Sequence, residues 1–176
     1  MPPSLEPREL ARCGLFGAAA LLLPVLFHLV RLGHVFMPMY LPLVALAFLA
    51  RPGPAALTAL VTPLISGVAT GMPPLYPPVA VCMAVELAAM AALIGVVSRR
   101  WPRLGVYPVL LPVLVLGRAL HVALVYLFAC LLELPAGFLA GLSLLAGWPG
   151  LLLMVAVIPP LVRLVRGSRA EVEVAR

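Results

Sequence analysis

Six apolar runs, with nine of the twelve arginines in the short segments between and beyond them, constrain this chain more than any other feature. In hydrocarbon each backbone N–H and C=O needs a partner within the protein, so a run of this kind crosses as a helix. The runs fall at about 10–30, 38–50, 55–71, 77–98, 104–132 and 136–165. The residues are 64% hydrophobic and the mean hydropathy is +1.18, which leaves no stretch for a soluble module. The expectation is an all-α integral membrane protein, one domain over residues 1–176, built as a six-transmembrane-helix bundle.

The arginines set the expected orientation. Arg8, Arg12, Arg51, Arg99, Arg100, Arg103, Arg163, Arg166, Arg169 and Arg176 fall on one side of such a bundle. Arg31 falls on the other, and Arg118 lies within a run. By the positive-inside rule both termini are cytoplasmic, and the connectors 31–37, 71–77 and 133–135 face outward. The net charge of +6 then belongs with anionic headgroups of the lipid bilayer, not with nucleic acid.

Absent residue types exclude several functions. The chain has no Lys, Asp, Asn or Gln. Without Lys there is no P-loop, and without Asp no aspartate-rich magnesium site. Neither G-x-S-x-G nor H-E-x-x-H occurs, so no catalytic residue, cofactor or enzymatic activity is expected. Cys13, Cys82 and Cys130 are too far apart in sequence to indicate a metal site or a redox pair.

Residues 1–9 read as a short cytosolic tail. On the first helix Ala11, Gly14 and Ala18 share a face, a small-residue strip that lets another helix approach closely. The run 38–50 is too short to cross ~30 Å at ~1.5 Å per residue. The last run is expected to be interrupted at Pro149-Gly150 and again at Pro159-Pro160.

The polar residues inside the runs are the candidates for function. Thr58, Thr62, Ser66 and Thr70 are four apart and form one stripe on an apolar helix, with Pro63 inside it. Their hydroxyls can bond the helix's own carbonyls or face a ligand. Pro73, Pro74, Pro77 and Pro78 stiffen the next connector, which also carries Met72 and Tyr76. Glu86 follows in the fourth run, and Arg118 and His121 in the fifth. A lone charge at the centre of a span costs ~2.5–3.5 kcal/mol on the insertion scale, so Glu86 and Arg118 are expected to share one polar site. His34 and Tyr40 flank the first outer connector and could close over a ligand.

These residues carry a resemblance. His34, the run Phe36-Met37-Pro38-Met39-Tyr40-Leu41-Pro42, Thr62-Pro63-Leu64-Ile65-Ser66, Gly71-Met72-Pro73-Pro74-Leu75-Tyr76-Pro77 and Met83-Ala84-Val85-Glu86-Leu87 together look like the substrate-binding S component of energy-coupling factor (ECF) vitamin transporters. The resemblance implies a six-helix bundle in a bacterial plasma (inner) membrane that captures a vitamin or related small micronutrient from outside. It implies a transmembrane coupling subunit and two ATPase subunits as partners. It implies docking through small residues of the first helix, here Gly14 and Ala18 where the family pattern has two alanines. It also implies that the connectors 31–37 and 71–77 gate the site. The rival reading is a non-transport membrane scaffold of the MreD kind, which needs no charged residues facing a pocket.

Overall fold

The computed structural model describes residues 6–29, 36–76, 78–133 and 147–174. Among these the chain forms six α-helices: α1 (Pro7–Leu29), α2 (Tyr40–Leu49), α3 (Pro52–Thr70), α4 (Val79–Arg100), α5 (Val106–Leu131) and α6 (Trp148–Val174). Five of them, all but α2, are long and apolar enough to cross a membrane. Large side chains such as Leu15, Leu22, Val68 and Val115 point outward from these helices. An apolar exterior of this kind suits a multi-pass membrane protein, with lipid as its solvent.

Local chemistry accounts for the helix ends. Pro7 and Pro52 occupy first-turn positions, where the missing N–H leaves no hydrogen bond unmade. Gly71 ends α3 with φ of 74°, a left-handed cap whose N–H bonds the carbonyl of Gly67. Arg99 and Arg100 fill the last turn of α4, where cations complement the helix dipole. The internal prolines Pro24, Pro63, Pro112, Pro159 and Pro160 are all accommodated within continuous helices.

The centre of the bundle is the short α2. Ten residues at ~1.5 Å each give a rod of ~15 Å, half a bilayer. Nine of the ten are buried, so this helix is apolar on every side because protein surrounds it. It packs against α1, α3, α4 and α6. Leu43, Val44 and Leu46 join Leu87, Ile94, Leu110, Met154 and Ile158 in the core. Lipid tails are as apolar as these side chains, so close packing rather than escape from water holds the helices together. Small residues permit it: Ala55, Ala59, Ala80, Ala84 and Ala91 are all buried at helix contacts. Ala88 and Ala92, four and eight residues after Ala84, are only half-buried.

Contacts at the helix ends define a common pole. Glu9 of α1 pairs with Arg51, and Arg166 of α6 bonds the carbonyl of Phe48. An added Cβ on Gly95 of α4 meets Pro52 Cα at 2.9 Å. The start of α1, the end of α2, the start of α3 and the ends of α4 and α6 therefore lie together. Phe27 and Phe36 meet at the opposite pole, with ring centroids 5.9 Å apart.

Two expectations need correction. Residues 7–9 are the first turn of α1 rather than tail, and Glu9 is buried against Arg51. The sixth helix begins at Trp148 and continues to Val174, through Pro149-Gly150 and Pro159-Pro160, where it was expected to break. Pro149 sits in the first turn, where proline is tolerated. Residues 134–146 lie outside the described residues.

Candidate functional site

The site is built at the N-terminal end of α2. Met37, with φ of 46°, turns the chain, and the N–H of Tyr40 bonds its carbonyl. A left-handed conformation is uncommon for a residue other than glycine and concentrates at functional positions. The turn sends the Tyr40 ring into the bundle, where it is 3% exposed.

There it meets Glu86 of α4, which is fully buried. The Tyr40 hydroxyl donates to Glu86 Oε2. His121 of α5 brings Nδ1 to 2.9 Å from the same oxygen. The approach is close, but it lacks the direction of a hydrogen bond, and Nδ1 has no directed partner among the described residues. Glu86 Oε1 is likewise buried without a hydrogen-bond partner. One carboxylate oxygen is thus well supplied and the other is not. Unsatisfied buried polar atoms are few in native proteins, and each calls for a physical account.

Arg118 lies one turn before His121 on the same helix. Glu86 and Arg118, expected to share one polar site, do not pair directly. No carboxylate oxygen among the described residues lies within 4.0 Å of its guanidinium, and Glu86 is held instead by Tyr40 and His121. The guanidinium Nη1 lies 3.8 Å from Met37 Sδ, a weak acceptor. Its Nη2 is 3.6 Å from where a Cβ on Gly147 would stand. The half-buried Arg118 therefore sits beneath residues 36–37 and the start of α6. Glycine is required at Gly150, where a Cβ would fall 2.8 Å from the Phe36 carbonyl oxygen, a backbone atom; a Cβ on Gly147 would meet the flexible end of Met37 and push it aside.

The hydroxyl stripe is spent on backbone. Thr58, Thr62 and Thr70 each donate to the carbonyl four residues before, at 2.7–2.9 Å. Ser66 reaches forward to the Met72 carbonyl at 2.6 Å. Ser66 and Thr70 thus latch the turn after α3, and Thr62 and Ser66 do not join the Glu86 cluster. Met72 and Tyr76 are 52% and 74% exposed and stand apart from it as well. His34 lies outside the described residues. Ala11, Gly14 and Ala18 face outward, and a Cβ on Gly14 would meet nothing within 4 Å. The neighbouring Gly17 faces inward, against Thr58.

Sequence reasoning brings Tyr40, Glu86, Arg118 and His121 forward, and the fold gathers these four. It missed Met37, Gly147 and Gly150. The signal for Met37 was its place in a Phe36-Met37-Pro38 turn beside Tyr40. Nothing in the sequence marks the two glycines as its seat. No protein-family model matches this chain, and no curated protein or solved structure matches it either.

Proposed function

We propose that this chain is the substrate-capture component of an ECF-type importer in a bacterial plasma membrane, binding a vitamin or related small micronutrient from the outer face. In this reading it is a six-helix bundle with cytoplasmic termini, α2 with its preceding turn serving as the second span. It passes its cargo through a coupling subunit powered by two ATPases. One observation carries the reading: a fully buried carboxylate with an unmatched oxygen converges with Tyr40, His121 and Arg118 at the end of a buried central helix. Charged groups at such depth are rare and mark binding sites or transport paths. The outward-facing strip Ala11, Gly14 and Ala18 supports docking on α1, and the arginines at the pole of the Glu9–Arg51 pair, among them Arg12, Arg99, Arg100 and Arg166, support the orientation.

The scaffold alternative of the MreD kind draws on the dense packing around α2. It leaves the unmatched oxygen of Glu86 without a purpose. The test is co-expression with an ECF coupling subunit and its two ATPases, purification of the assembly, and mass spectrometry of any small molecule retained. A stable assembly that imports a retained micronutrient is the expected result. A chain that neither assembles with these partners nor retains a small molecule is a scaffold.

A further inference from the structure

We infer that the site takes a small organic acid that also carries an N–H donor a few bonds from its acid group. This rests on the importer reading for its direction of uptake, and on the cluster itself for its chemistry. Two unmatched groups of opposite kind define it. Glu86 Oε1 is a buried acceptor with no donor among the described residues. A carboxylate oxygen in that position is completed by an N–H or O–H. Arg118 offers five N–H donors in a planar fork, and among the described residues its hydrogen-bond contact is a thioether. That fork matches the two oxygens of a carboxylate, or the oxygens of a phosphate, in two-point fashion.

One short turn touches both groups: Met37 rests on Arg118, and Tyr40, whose N–H bonds the Met37 carbonyl, donates to Glu86. That turn places the ligand's donor and its acid group close together. The Met37 thioether lies on Arg118 and must yield to an incoming anion, since sulfur is the weaker acceptor. Met37 is suited to yielding: its side chain is flexible and its backbone is already strained at φ of 46°. The surroundings disfavour purely cationic or neutral cargo. A cation would complete Glu86 but leave Arg118 resting on sulfur, and a neutral ring would leave both charges unanswered.

The test measures the melting temperature of the intact chain in detergent with pantothenate, folate and β-alanine, each an acid with an N–H donor a few bonds from a carboxylate. Riboflavin and thiamine, which carry N–H groups and no acid, are the contrast. Inorganic phosphate is added alone to separate a bare anion from the full ligand class. At least one of the three acids should raise the melting temperature, and riboflavin, thiamine and phosphate should not. The primary amide of the responding acid should bind the unaltered protein at least tenfold more weakly, a comparison that needs no variant to fold. Arg118→Gln and Glu86→Gln should each weaken the same acid at least tenfold, and Arg118→Lys should recover part of the loss. Silence from all three acids, a response to riboflavin or thiamine, equal binding of acid and amide, or a response to phosphate alone overturns the inference. Assembly with the coupling subunit is scored separately. Assembly without acid binding sinks the ligand class alone, and acid binding without assembly sinks the importer reading alone.

Discussion

The Tyr40 hydroxyl donates to Glu86 Oε2 across 46 residues of chain, tying the first residue of α2 to the middle of α4. Tyr40→Phe removes that donor and almost no volume. It leaves Glu86 with His121 as its sole close polar neighbour among the described residues. The expected loss is ~1–3 kcal/mol, the usual range for stripping a partner from a buried charged acceptor. Thermal unfolding in detergent measures it. Adding Glu86→Leu to Tyr40→Phe should cost less than the two single losses combined, because the two residues form one unit. Strict additivity would mean that the bond contributes nothing.

Ser66 bonds the Met72 carbonyl rather than a neighbour in the core. Ser66→Ala should lower stability by ~1 kcal/mol, the net worth of an ordinary hydrogen bond. Ligand affinity should stay within about twofold of the original, ~0.4 kcal/mol on the affinity scale. Isothermal titration with whichever small molecule co-purifies decides this. A large drop in affinity at unchanged stability would return the hydroxyl to the binding site.

Two glycines separate packing from exposure. A Cβ on Gly95 would stand 2.9 Å from Pro52 Cα, a backbone atom that cannot swing aside. Gly95→Ala should therefore destabilise by ~1–3 kcal/mol through overpacking. A Cβ on Gly14 meets open space, and alanine is the better helix former by ~1 kcal/mol or less. Gly14→Ala should leave the melting temperature unchanged or slightly raised. If the two variants melt alike, α3 and α4 are not in the contact described.

Gly14→Leu examines the exposed strip on α1 as a docking face. The isolated protein should fold and bind its ligand normally, because nothing lies within 4 Å of the new side chain's first atom. Co-purification with a coupling subunit should be lost, since a helix that approaches over Ala11, Gly14 and Ala18 needs that space. Normal yield of the assembly would place docking elsewhere.

The helices were legible because apolar length and arginine placement are one-dimensional signals. The first five boundaries lie within three residues of those read from the runs. The sixth run differs: its residues 136–146 lie outside the described residues, and Pro149-Gly150, which has the composition of a break, opens a helix instead. A proline in a first helical turn has the same composition, and only three-dimensional context separates the two. The site was legible by residue type but not by pairing. Opposite charges at Glu86 and Arg118 suggest a couple, whereas the rotation of α4 against α5 delivers His121 to the carboxylate instead. That rotation follows from packing, such as Gly117 fitting against Met90, and no spacing along the chain encodes it. The partnership of Glu9 with Arg51 was hidden for a different reason. A charged, proline-rich start looks like solvated tail unless its distant partner is known.

Arg12 donates to the Leu49 carbonyl at 3.3 Å, and Arg166 donates to the Phe48 carbonyl at 3.0 Å. Such carbonyls lack partners at any helix end, and α2 ends inside protein. Side chains from the first and last helices therefore stitch shut the same end of the central one. For protein engineering this means that neither flank is expendable: trimming through residue 12, or back past 166, unpicks a stitch at the core. A circular permutant suits this fold better than a truncation. The start of α1 and the last turns of α6 share a pole with the exposed turn at 101–105, so the chain can be reopened there with both stitches kept.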